Sequence, residues 1–267
     1  MITTQDILTQ YWEFSPVALI FAALLLVFHL VFNRSAAPGK QVLFLTGILI
    51  ILLVTISPLA FLGMGYLFSV HMIVHIVLLL IAPPLLLAGL RGELILRLRE
   101  TAFRRWGEVL FRTPVAWLLG MAVMYVWHIP SVFAAMVRSP ALHGLHVVSS
   151  VLIGMIFIWP VYAPVPWRRL EPLQSALYLF IACTGCTILG ILITFAPASL
   201  YTGLLPGNDP EVWELIRNSW GVSPEADQQA GGLIMWVPAC IIYITNIMLI
   251  LSGYFRLPDE EEITSND

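Results

Sequence analysis

Histidines recur in the long apolar stretches of this sequence, where an imidazole has few polar neighbours. His71 and His75 are four residues apart in LFSVHMIVHIVLLLIAPPLLLAG, and His143 and His146 are three apart in SPALHGLHVVSS. Either spacing puts both rings on one face of a helix. His128 lies in YVWHIPSVF. Neutral imidazole binds copper, zinc and iron, and ionisable residues inside an apolar span favour a functional role, so a metal or haem site is the first hypothesis.

The elements that must position these histidines are predicted to be membrane spans. Of the 267 residues, 59% are hydrophobic and 11% are charged, whereas soluble domains carry roughly 25% charged residues. The net charge of −3 is small and argues against a nucleic-acid partner. A helical span needs about 20 mainly apolar residues. Seven segments qualify, at 16–32, 42–60, 66–90, 113–133, 142–162, 173–197 and 230–253. The predicted fold is all-α, a polytopic membrane protein with a single seven-helix domain over 1–267.

Basic residues predict the orientation, because Lys and Arg collect in cytoplasmic loops. With the N-terminus outside, the outer segments hold only Arg138 and Arg217, out of thirteen basic residues in all. The cytoplasmic segments then hold Arg34, Lys40, Arg91, Arg97, Arg99, Arg104, Arg105, Arg112, Arg168, Arg169 and Arg256. The predicted topology is N-terminus outside and C-terminus cytoplasmic.

Two connections have patterns of their own. The inner one, 91–112, has apolar residues near helical spacing and Glu residues four before Arg, which predicts a basic amphipathic helix on the cytoplasmic membrane surface. A partner-docking surface is the alternative for this segment. The outer one, 198–229, contains DPEVWELIRNSW, where Asp209 can act as N-cap and Pro210 as first residue of a short helix.

The predicted topology brings the histidines to one depth. The third and fifth spans run inward and the fourth runs outward, so His71, His75, His128, His143 and His146 all fall in the outer leaflet, at about 1.5 Å per residue from its rim. His29, near the inner end of the first span, is the exception. The last span brings Asp227 and Met235 to the same rim or just below it. Thioethers favour Cu(I), and the methionines on the outer side are Met64, Met72, Met136 and Met235, although methionine is also a common filler of helix interfaces.

The other reactive residue types give weaker signals. The three cysteines, Cys183, Cys186 and Cys240, lie in apolar stretches and do not suggest a disulfide framework. Cys183 and Cys186 form a CxxC that could bind Cu(I) or change redox state, but small residues at a helix packing surface explain it as well. Serines near the histidines leave metal-dependent hydrolysis open.

Three stretches together resemble a known family: SVHMIVHIVLLLIAPPLLLAG, the WHIP, HGLH and FIWP run, and ADQQAGGLIMWVP. They are similar to the multi-span CtaG-like family of cytochrome c oxidase assembly factors, the seven-helix kind. On that resemblance His71 and His75 match the family's H-x-x-x-H, His128 its W-H-x-P and Asp227 its D-Q motif. The fifth-span pair departs from the pattern, because His143 and His146 are three apart where the family often has four.

The resemblance implies a bacterial plasma (inner) membrane protein that helps a haem–copper cytochrome c oxidase to mature, through copper supply. We therefore predict a non-enzymatic assembly factor with a copper site formed from His71, His75, His128, His143, His146, Asp227 and Met235. Asp227 would orient a ligand or tune its basicity. The predicted partners are the oxidase subunits, periplasmic copper chaperones and the lipid bilayer. The alternatives are a seven-span zinc-dependent lipid amidase or esterase, and a membrane protein that binds haem b between two histidines.

Overall fold

The computed structural model of the chain describes residues 2–98, 104–197 and 199–255, and these form helices and connecting turns without a β-strand. Six helices in this part of the chain are long and apolar enough to cross a membrane, and a bent pair adds a seventh span if it is taken as one. The predicted all-α polytopic fold is confirmed. The predicted orientation stays a prediction.

We number the seven long helices in chain order. They are α1 Pro16–Asn33, α2 Pro38–Ile56, α3 Phe68–Ala88, α4 Thr113–Trp127, α5 Pro140–Tyr162, α6 Pro172–Thr194 and α7 Pro224–Phe255. Shorter helices are Thr4–Gln10, Pro58–Gly65, Gly92–Leu98, Arg104–Leu110, Pro130–Arg138 and Pro210–Glu214, the last followed by a π-helical turn, Leu215–Ser219. Proline occupies the first or second position of most of these helices, where its missing N–H breaks no helical hydrogen bond.

Two predicted connections are only partly comparable with the structure. The predicted amphipathic segment 91–112 includes residues 99–103, which lie outside the described residues, and its described parts contain the helices Gly92–Leu98 and Arg104–Leu110. The acidic C-terminal tail from residue 256 also lies outside them. In the outer connection, the Asp209 side chain accepts a hydrogen bond from the backbone N–H of Glu211 at 2.9 Å and caps the helix that begins at Pro210.

Helix α3 lies at the centre of the bundle. In its most apolar 18-residue window, 67% of the residues are buried, against 44% or less in the other five unbroken long helices. It contacts α2, α5 and α7, and so most of its surface faces protein. Functional side chains on α3 are therefore surrounded by other helices.

A proline pair changes the hydrogen bonding of α3 without ending it. Pro83 and Pro84 have no N–H, so they leave carbonyls one turn earlier without helical partners. The helix adopts a π-helical turn over Val77–Ile81, before the prolines, and continues to Ala88. Gly154 of α5 packs against this turn, because a Cβ built on Gly154 would lie 2.7 Å from the Leu79 carbonyl oxygen and 2.6 Å from Pro83 Cγ.

The fourth span was predicted as one continuous segment, 113–133, but the structure shows a break within it. Helix α4 ends at Trp127, a new helix begins at Pro130, and the two axes meet at 73°. Proline disfavours a helical conformation in the residue before it, and Ile129 is extended, with φ −66° and ψ 124°. His128 therefore sits at the C-terminal end of α4, in the bend.

His29 lies near the C-terminal end of α1, among residues that it contacts by hydrogen bonding and ring stacking. Its Nδ1 lies 3.3 Å from Asn33 Nδ2, and its ring stacks on Phe44 with centroids 5.2 Å apart. Asn33 in turn donates to the carbonyl of Gly89 at 3.0 Å and accepts from the N–H of Arg91 at 3.1 Å. These contacts tie the inner end of α1 to the segment that follows α3.

We expect Gly154→Ala to lower the thermal unfolding temperature of the detergent-purified protein. The new methyl group would overlap Leu79 and Pro83, and overpacking of this kind costs about 1–3 kcal/mol. Gly253→Ala is the matched control, since no atom lies within 4 Å of its Cβ position and alanine favours a helix by up to about 1 kcal/mol. Equal unfolding temperatures for the two variants would contradict the close α3–α5 packing.

Candidate metal centre

Four imidazoles from three long helices meet in one buried layer. His71 and His75 come from α3, His128 from the end of α4 and His146 from α5, and each side chain is at most 4% exposed. The ring of His75 is central, with its centroid 4.9 Å from that of His128 and 5.1 Å from that of His146. His71 lies beside them, stacked at 5.4 Å from His146.

His75 and His146 contact each other directly. His75 Nδ1 lies 2.9 Å from His146 Nε2, a hydrogen-bond distance at which one of the two nitrogens carries the hydrogen. Each ring therefore has one nitrogen in this hydrogen bond and a second nitrogen outside it. Among the described residues, neither His75 Nε2 nor His146 Nδ1 has a hydrogen-bond partner.

The break after α4 determines the tautomer of His128. Its Nδ1 lies 2.6 Å from the carbonyl oxygen of Met124, and a carbonyl can only accept, so Nδ1 carries the hydrogen. Nε2 then keeps its lone pair, and within the described part of the chain it has no partner. Metal-binding histidines commonly have this arrangement, with one ring N–H donated to a backbone carbonyl and the other nitrogen directed at the metal.

His143 lies at the edge of the layer. It is half-buried, and its ring centroid is 6.3 Å from that of His146, one turn along α5. The i,i+3 spacing keeps the two rings on the same side of the helix. Of the two, His146 is the one whose ring stacks on His71 and His75 of α3.

Asp227 contacts the start of α3 instead of an imidazole. Its carboxylate accepts hydrogen bonds from the backbone N–H of Phe68 at 2.7 Å and of Ser69 at 3.0 Å, and also from the Ser69 hydroxyl. The residue at the N-cap position, Leu67, offers no side-chain acceptor, so Asp227 supplies the cap from another helix. Asp227 also lies in the first turn of α7, and a negative charge there stabilises the N-terminal ends of both helices.

Gln228 and Tyr201 hold the surroundings of His128 in place, and the sequence analysis missed both. Gln228 Oε1 accepts from the N–H of Tyr201 at 3.0 Å, and its Nε2 donates to the carbonyl of Pro197, also at 3.0 Å. The Tyr201 hydroxyl donates to the carbonyl of His128 at 2.6 Å. The second residue of the D-Q motif thus fixes the outer loop against the bend that carries His128, and the motif itself was the signal for it.

An aromatic layer covers the imidazoles on their outer side. Tyr201 stacks on Phe68 at 4.7 Å, and Phe133 lies edge-on to both rings. Phe133 also contacts the ring of His71 at 5.2 Å. Beyond this layer, a cavity of about 290 Å³ opens toward the outer loop, with Asp227 and Leu67 among its lining residues.

The cavity is bordered by Tyr66, which is buried between the short helix Pro58–Gly65 and α3. Burial raises the pKa of the Tyr66 hydroxyl, which keeps it neutral as the acceptor of a 3.2 Å hydrogen bond from the N–H of Asp209. The loop is therefore tied to the residues before α3 through Tyr66, and the start of α7 is tied to α3 through Asp227.

Met235 is buried on α7, two turns beyond Asp227. It follows Gly231 by one turn, and Gly231 packs against Phe68 and Met72 of α3, so Met235 lies on the side of α7 that faces α3. Burial does not distinguish a metal ligand from a methionine that fills space between helices, because both are buried.

Buried ring nitrogens in the imidazole layer are left without a protein partner in the part of the chain that the structure describes. No three His, Cys, Asp or Glu side chains within the described ranges form a ready-made metal site. Two nitrogens, His75 Nε2 and His128 Nε2, belong to rings in contact, are buried and have no protein partner. In the tautomer in which His75 donates through Nδ1 to His146, both nitrogens keep lone pairs, and His146 orients His75 as the Met124 carbonyl orients His128.

Comparisons with known proteins agree with the motifs. A family model described as cytochrome c oxidase caa3 assembly factor (Caa3_CtaG) matches residues 17–256. The chain is similar to the uncharacterized protein ML1998 of Mycobacterium leprae (strain TN), with 26% identity over 235 residues. That match covers 82% of this chain and 34% of the relative, so the chain spans about a third of the relative's length. No solved structure matches. Because the family model runs from the start of α1 to the end of α7, the chain belongs to the cytochrome c oxidase caa3 assembly factor family.

Proposed function

We propose that this protein binds copper between His75 and His128 and supports its delivery to a haem–copper cytochrome c oxidase. The observation that carries the proposal is the pair of buried Nε2 atoms on contacting rings, His75 and His128, without a hydrogen-bond partner in the described part of the chain. The family supports the assembly role, and the copper is our inference from the donor atoms.

Energetics favour a ligand at these nitrogens. A buried polar atom without a partner costs about 1–3 kcal/mol, and many of the side chains around the layer are apolar or aromatic. A bound ion would use the lone pairs that the protein leaves unpaired. Two imidazoles are also a small ligand set, and a protein that passes its metal on benefits from holding it with few bonds.

The packing favours an ion over haem. The rings of His75, His128 and His146 touch one another, which leaves no space for a porphyrin plane between two of them. Imidazole alone suits zinc and copper equally. Because the family assists a cytochrome c oxidase, we choose copper over zinc. A metal analysis of the purified protein decides between copper and zinc.

Copper would reach the site from the outer side. The cavity of about 290 Å³ lies against Leu67 and Asp227, at the end of α3 that carries the histidines. In the predicted orientation this side faces the periplasm of a bacterial plasma membrane. Copper chaperones would donate there, and the outer loop would meet the oxidase subunits. The role we propose is binding and transfer, without an enzymatic reaction.

Replacing His75 or His128 with alanine should lower the copper content of the oxidase at least several-fold, because each change removes one of the two proposed ligands. The measurement is the copper-to-haem ratio of oxidase purified from cells that carry the variant. Membrane levels of the variant are measured in parallel.

His29→Ala is the matched control, since His29 is an equally buried histidine at the other end of the bundle. We expect this variant to leave the copper-to-haem ratio unchanged. A normal ratio in both His75→Ala and His128→Ala cells would contradict the proposed function.

Asp227→Asn should weaken the site without removing its ligands. An amide has only one acceptor oxygen for the N–H groups at the start of α3, so we expect a loss of about 1–2 kcal/mol in stability and a reduced fraction of bound metal. Thermal unfolding and metal content of the purified protein are the measurements.

Asp209→Asn serves as the control for this change, because Asp209 caps the short outer helix and Asn is an equally good N-cap there. Unaltered stability with complete loss of metal in Asp227→Asn would contradict the positioning role and make Asp227 a direct ligand.

A further inference from the structure

Two sulfur atoms are in contact about one helical turn from His128, toward the N-terminal end of α4. Met124 precedes His128 by one turn of α4, which is about 6 Å along the helix axis. Its Sδ lies 3.4 Å from Cys186 Sγ of α6. Both side chains are at most 1% exposed.

The third side of this contact is formed by α7. The Tyr243 hydroxyl lies 3.9 Å from Cys186 Sγ, and Tyr243 is itself buried. The other two cysteines have a different environment. Cys240 Sγ lies 3.2 Å from the Thr187 hydroxyl and 3.9 Å from the Cys183 carbonyl oxygen, and both thiols are only half-buried.

We propose that Cys186 Sγ and Met124 Sδ form a second copper site, specific for Cu(I). The inference deepens the proposed function, on which the choice of copper as the metal rests. It commits to a soft monovalent ion held by one thiolate and one thioether in the middle of the bundle.

The ligand types select the ion. Thiolate and thioether sulfur favour Cu(I) over harder divalent ions. Cysteine binds as thiolate, so each Cu(I) that binds releases one thiol proton to solvent. Cu(I), one thiolate and one neutral thioether sum to zero charge. A neutral site is the one least penalised by burial among apolar side chains at mid-bundle.

The geometry requires the two sulfurs to move apart. Bonds from a first-row metal to thiolate sulfur are about 2.3 Å, so two sulfurs on opposite sides of a two-coordinate ion are about 4.6 Å apart. The present separation of 3.4 Å must open by about 1.2 Å. Met124 can supply this movement, because its unbranched side chain has three rotatable bonds.

Met124 also connects the sulfur contact to the imidazole layer. Its carbonyl oxygen accepts the Nδ1 hydrogen of His128, and its sulfur contacts Cys186. The two sites would therefore be neighbours along one helix, with an outer nitrogen site and a deeper sulfur site.

The test is anaerobic titration of the purified full-length protein with Cu(I) against a competing chelator, followed by X-ray absorption at the copper edge. The wild type should bind two Cu(I) per chain, with nitrogen and sulfur scatterers. Met124→Leu conserves volume and keeps the carbonyl that accepts from His128, so it should lose one Cu(I) and the sulfur signal. Cys186→Ser should do the same.

Cys183→Ser is the matched control on the same helix and should still bind two. A second readout uses the wild type alone: its copper-edge spectrum should contain sulfur scatterers. The inference is overturned if Met124→Leu and Cys186→Ser both keep the sulfur signal, or if the wild type has none.

The experiment distinguishes failure of the imidazole proposal from failure of the sulfur proposal. Sulfur-bound copper that survives in His75→Ala and His128→Ala, with the nitrogen signal gone, supports both proposals. A wild type with only sulfur scatterers contradicts the imidazole site and supports the sulfur site. A wild type with only nitrogen scatterers does the reverse.

Discussion

The contact between His75 and His146 is the interaction on which the candidate site depends. It joins the central helix α3 to α5 through two ring nitrogens 2.9 Å apart, within a layer of side chains that otherwise offers few polar partners. Once these two nitrogens satisfy each other, the second nitrogen of each ring, His75 Nε2 and His146 Nδ1, has no partner among the described residues. The layer is therefore packed as part of the fold but incomplete as a hydrogen-bonded network, and this incompleteness is the observation from which we propose a bound ion.

Helix ends and helix breaks position these rings. The carboxylate of Asp227 accepts hydrogen bonds from the first N–H groups of α3 and so caps this helix. It thereby fixes the start of the helix that carries His71 and His75. The bend before Pro130 frees His128 from the regular helix and turns its Nδ1 to the carbonyl of Met124. The close approach at Gly154 brings α5 against α3.

The sequence predicted the parts of this arrangement that follow from periodicity. A four-residue spacing on a regular helix suffices to put His71 and His75 on one face, and an apolar run of about 20 residues suffices for a span. It did not predict which nitrogens stay unpaired, because that depends on the partner ring of another helix. An aspartate in the first turn of α7 is indistinguishable by pattern from an ordinary N-terminal acid, so its role at α3 came only with the packing. The same holds for two contacts between residues far apart in the sequence: Tyr201 and His128 are separated by 73 positions, and Met124 and Cys186 by 62.

The most direct test of the account is the metal content and electron paramagnetic resonance spectrum of the full-length protein, purified from its native membrane without added metal and oxidised to Cu(II). The account predicts bound copper whose spectrum shows nitrogen hyperfine couplings from imidazole, and the loss of those couplings when His75 and His128 are both replaced. Stoichiometric zinc in place of copper, or copper without nitrogen couplings, would contradict it.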